Sequence, residues 1–141
     1  MNISLRNSLA ALLLITVSTG ALAEQNKVAS PDGRLVVNVE DRDGRLYYDV
    51  CYDGKQMMQP SQLGVVANIG DFSQKLVYRS VSNHEVKDDY SLRNAKASTI
   101  HYRANQMSVV YENEKKLPIT VTFNVSDNDV AFRYEFGEVN E

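Results

Sequence analysis

Between Leu117 and Phe136 apolar and polar side chains alternate with a period of two, interrupted once. Leu117, Ile119, Val121, Phe123 and Val125 share one parity, and Pro118, Thr120, Thr122 and Asn124 the other. This is the pattern of a β-strand with one apolar face. After Ser126-Asp127-Asn128-Asp129 the alternation resumes, with Val130, Phe132, Tyr134 and Phe136 set against Ala131, Arg133 and Glu135. Two such arms around a short polar turn predict an antiparallel hairpin. An isolated hairpin is marginal in water, so the nine apolar positions of the two arms require burial against a second layer.

The same alternation, punctuated by turn residues, runs through the earlier chain. Ser30-Pro31-Asp32-Gly33 combines a proline that presets φ with a glycine that tolerates a turn, and Leu35 to Glu40 follows as a strand. Asp41-Arg42-Asp43-Gly44 then reverses the chain into Arg45 to Tyr52, where Leu46, Tyr48, Val50 and Tyr52 share a parity. Asp53-Gly54 is a strong signal for a type I′ hairpin turn into Lys55 to Gln59. The first third thus predicts a meander of three strands, the last stopped by Pro60-Ser61. Leu63 to Asn68 predicts a short strand before the loop Ile69-Gly70-Asp71-Phe72, and Leu76 to Val86 a longer alternating one. Asp88 to Leu92 leads into a polar stretch to Ala97. Two further strands, Thr99 to Ala104 and Met107 to Glu112, are separated by Asn105-Gln106. About eight strands at short spacing predict an all-β, antiparallel β-sandwich, with this chain supplying one layer and further polypeptide its cover.

The first 23 residues have a different pattern. Arg6 precedes the apolar run Leu9 to Val17, and Ala21-Leu22-Ala23 ends it with small residues, the form of a secretory signal cleaved after Ala23. A membrane anchor needs about 20 apolar residues, and Ser18, Thr19 and Gly20 break this run too early. A periplasmic or secreted product of residues 24–141 is expected. It would hold 118 residues with 14 basic and 18 acidic side chains, enough for one domain. That mildly acidic, interspersed balance provides no footprint for nucleic acid or an anionic membrane. Cys51 is the single cysteine, so no internal disulfide can form, and its place in a strand suggests a packed thiol.

Candidate chemistry is sparse. Asp41 with Asp43 and Asp127 with Asp129 are paired carboxylates, but turn formation accounts for both pairs, and neither turn has the further oxygen ligands of a calcium loop. Asp88 and Asp89 would point to opposite faces of a strand. His84 and His101 have no ligand-spaced neighbours, and no serine lies in a nucleophile elbow. No catalytic, cofactor-binding or metal residue is assigned. Outward tyrosines such as Tyr47 suit packing, an interface or a sugar-stacking surface.

Several short motifs occur in one order along the mature chain. They are Ser30-Pro31-Asp32-Gly33, Tyr52-Asp53-Gly54-Lys55, Pro60-Ser61-Gln62-Leu63-Gly64, Asp71-Phe72, Asp89-Tyr90-Ser91-Leu92 and Asp129-Val130-Ala131-Phe132-Arg133-Tyr134-Glu135-Phe136. In this the chain resembles the N-terminal domain of glycoside hydrolase family 97, exported α-glucosidases and α-galactosidases. Ala95-Lys96 departs from the Gly-Lys usual in that family. The resemblance implies part of a galactose-mutarotase-like super-sandwich, normally followed by a (β/α)8 barrel that carries the catalytic carboxylates and most ligands of an assisting calcium. It therefore implies a non-catalytic portion that supports the barrel and active-site rim, with the C-terminal catalytic barrel and, through the longer enzyme, an α-linked oligosaccharide as partners. The alternative is a stand-alone secreted carbohydrate-binding or adhesion sandwich.

Overall fold

The computed structural model describes residues 26–91 and 99–137. The segment expected to be a secretory signal, the polar stretch after Ser91 with Ala95-Lys96, and the last four residues lie outside the described residues. Every described element is a strand, in the order β1 (Asn26–Ala29), β2 (Leu35–Arg42), β3 (Arg45–Tyr52), β4 (Lys55–Gln62), β5 (Val66–Ala67), β6 (Gly70–Asp71), β7 (Val77–Ser91), β8 (Thr99–Glu112), β9 (Pro118–Ser126) and β10 (Val130–Phe136). Among the described residues no helix is long and apolar enough to cross a membrane.

Two antiparallel four-stranded sheets, β1-β2-β3-β4 and β10-β9-β8-β7, pack face to face, and β5 pairs with β6 in a small third sheet. One apolar cluster lies between the large sheets. Val28, Val37, Val39 and Leu46 enter it from the first, and Met107, Val109, Tyr111, Ile119, Val121, Phe123 and Val125 from the second. Leu63, Phe72 and Leu76, from the segment that crosses between the sheets, complete it. The expectation of a single layer awaiting its cover is therefore corrected. The meander of the first third turns its inward parity onto β8 and β9, so each sheet covers the other.

The turns follow the backbone chemistry of their residues. Asp43-Gly44 and Asp53-Gly54 both have positive φ at each position, 54° and 76° and then 50° and 75°, the geometry of a type I′ turn whose twist matches the flanking strands. The first reversal is confined to Asp43-Gly44, while Asp41 and Arg42 remain in β2. Ser126 Oγ accepts the backbone N–H groups of Asn128 (3.3 Å) and Asp129 (3.1 Å), closing the predicted terminal hairpin.

Other boundaries differ from the sequence expectation. β4 does not stop at Pro60-Ser61, because it is an edge strand and its register against β3 shifts between Tyr48 and Cys51. Pro60 falls among the unpaired positions, where a missing N–H costs no ladder bond. The expected strand from Leu63 to Asn68 shrinks to β5, while Gly70-Asp71 of the expected loop forms β6. Asn105-Gln106 does not divide two strands, since β8 runs unbroken through it. Asn105 Nδ2 donates to the Ala29 carbonyl of the facing sheet (2.8 Å) and Gln106 Nε2 to Asn124 Oδ1 of the neighbouring strand (2.7 Å), so both amides are paired. Asp88 to Ser91 continue β7.

Candidate functional site

The last rung between β8 and β9 joins Ala104 to Ser126, whereas β7 and β8 stay paired as far as Ser91 and Thr99. Residues 87–91 and 99–103 therefore form a two-stranded ribbon that outruns its sheet. On this ribbon Asp89 stands directly opposite His101, with Arg103 one step along the same face. Asp89 Oδ1 lies 2.9 Å from His101 Nδ1 and accepts a 2.9 Å hydrogen bond from Arg103 Nη1. The bond from Arg103, then that to His101, holds the Asp89 carboxyl below its usual range. The strand register explains why Asp88 and Asp89 cannot act as a facing pair.

Ile100, His101, Tyr102 and Arg103 of the ribbon face Ser126 to Asp129 of the terminal turn across an open cleft of about 280 Å³. Burial, then the charge of Asp129, raises the Tyr102 phenol. Asp127 Oδ1 accepts the backbone N–H of Asp32 at 2.9 Å, tying this turn to the one between β1 and β2. Asp41 Oδ1 accepts the Gly44 N–H at 2.8 Å, so the other carboxylate pair also serves its turn. Polar side chains of His101, Arg103, Asp127 and Asp129 line this cleft.

Bond cleavage in a glycoside requires a carboxyl raised in pKa to donate a proton, opposite a second carboxylate. Every carboxyl with a displaced pKa among the described residues is displaced downward: Asp32, Glu40, Asp53, Asp71, Glu85 and Asp89. The leading causes are hydrogen bonds from Ser30, Arg42, Arg34, Ser73, Lys87 and Arg103 respectively. Nor, among the described residues, do three His, Cys, Asp or Glu side chains gather where they could hold a metal ion. His84 is exposed on β7, opposite Gln106. The Cys51 thiol is half-buried and raised in pKa, by burial first and by Asp49 second, which makes it a poor nucleophile.

Two of the tyrosines of β3 are already engaged. The Arg42 guanidinium lies 4.9 Å from the Tyr47 ring centre and that of Arg34 4.7 Å from Tyr52. Each guanidinium covers a ring face that a pyranose would otherwise use, so packing accounts for these two residues.

The ribbon cluster is the feature that sequence reading missed. His101 and Arg103 follow Asp89 only after the stretch past Ser91, and their proximity depends on the β7–β8 register. Treating Leu76 to Ser91 and Thr99 to Glu112 as one long hairpin would have been the available signal.

Comparisons with known proteins agree with this architecture. The family model "Glycosyl-hydrolase 97 N-terminal" matches residues 28–141. A retaining alpha-galactosidase of Bacteroides thetaiotaomicron is 29% identical over 138 residues, covering 82% of this chain and 21% of the relative. The crystal structure of a beta-arabinopyranosidase superposes with a TM-score of 0.73 at 40% identity, over 77% of this chain and 18% of that one. A family 97 enzyme from Pseudoalteromonas sp. strain K8 in complex with panose gives 0.72 at 22% identity, over 79% and 17%, a likeness of fold. The chain spans about a fifth of the length of these relatives. It belongs to the N-terminal domain family of glycosyl hydrolase 97.

Proposed function

We propose that this chain is the non-catalytic N-terminal portion of an exported α-glycosidase, which supports a catalytic barrel and shapes the rim of its active site. The family match over residues 28–141, in a chain about a fifth as long as its relatives, is the observation that carries the reading. Within α-glycosidases, a galactoside-type substrate is favoured over a glucoside. The two relatives with the higher identities are an alpha-galactosidase and a beta-arabinopyranosidase, and a β-L-arabinopyranoside has the ring configuration of an α-D-galactoside. Export follows from the segment ending at Ala23, and the exported product would begin at Glu24.

The test compares the purified chain with a longer polypeptide that continues its reading frame past Glu141. The chain alone is expected to release no p-nitrophenol from the α-galactoside, β-L-arabinopyranoside or α-glucoside above a boiled control. The longer polypeptide is expected to act on the first two in preference to the third. Hydrolysis by the chain alone would overturn the proposal, and saturable sugar binding by it would favour a stand-alone module.

A further inference from the structure

We draw no further inference here: the strongest candidate, the open cleft between the β7–β8 ribbon and the turn of the terminal hairpin, lined by His101, Arg103, Asp127 and Asp129, belongs to the site already described, and nothing in the structure shows what covers it.

Discussion

β9 and β10 are two arms of one hairpin with the same alternation and similar apolar content, yet they have different surroundings. β9 lies between β8 and β10 and beneath the first sheet, and Ile119, Val121, Phe123 and Val125 are all at most 1% exposed. Among the described residues, β10 has β9 on one side and no strand on the other. Phe132 rests on Tyr48 and Phe123 at ring-centre distances of 5.3 and 5.4 Å, and Phe136 on Phe72 at 5.1 Å, while both keep an open flank. Periodicity therefore identifies a strand and its inward face. How completely that face is covered depends on position in the sheet, which no local pattern encodes.

The largest expected effect separates these two environments directly. Phe123→Ala should cost about 3–5 kcal/mol, the loss for a fully enclosed aromatic whose cavity cannot collapse. Phe132→Ala, directly opposite it in the ladder, should cost only about 1–2 kcal/mol, because much of its surface already meets solvent. Urea unfolding of both variants measures the difference. Equal losses would mean that β10 is as enclosed in solution as β9.

A smaller effect tests what holds β10 in place despite its open flank. Tyr134 has its ring 5.7 Å from that of Phe132, and its hydroxyl oxygen accepts the Gly64 N–H at 3.0 Å. This hydrogen bond links the edge strand to the segment that crosses between the sheets. Tyr134→Phe retains the ring and removes the acceptor, so a loss of about 1 kcal/mol is expected in the same unfolding measurement. No change would show that water satisfies Gly64 equally well and that ring packing alone anchors the strand.

Much of this architecture is legible in the sequence for identifiable reasons. The Asp43-Gly44 and Asp53-Gly54 pairs place two of the three reversals of the first sheet, because few residues accept positive φ twice in succession. The parity of Leu117 to Val125 gives the inner face of β9 correctly. Asn105-Gln106 misleads because polar amides commonly mark turns, and only their bonds to Ala29 and Asn124, distant in sequence, show that they belong inside a strand. Pro60 misleads in a similar way: it breaks a central strand but sits readily on an irregular edge, and edge status emerges only after the sheet is assembled. The Asp89, His101 and Arg103 cluster is invisible for the same reason, since strand pairing alone brings it together.

The smallest expected effect lies in the ribbon, the region least like the enclosed arm. Asp89 and Arg103 are 54% and 40% exposed, so their ion pair adds little to global stability. Its consequence is local. The folded-state pKa of Asp89 is lowered, so its contribution is present above the ordinary carboxyl value of 3.8 and is lost as pH falls through the lower folded value. Because Arg103 is the leading cause and His101 the next, Arg103→Gln should raise the Asp89 titration midpoint further than His101→Gln, as followed by carboxyl carbon NMR. Amide exchange in residues 87–91 and 99–103 should quicken through that acid step in the unmodified chain, and Asp89→Asn should abolish the step. The exchange of β9 amides should not respond. A pH step shared by ribbon and β9 would show that the two regions open together, and a larger shift from His101→Gln would reassign the dominant partner of Asp89.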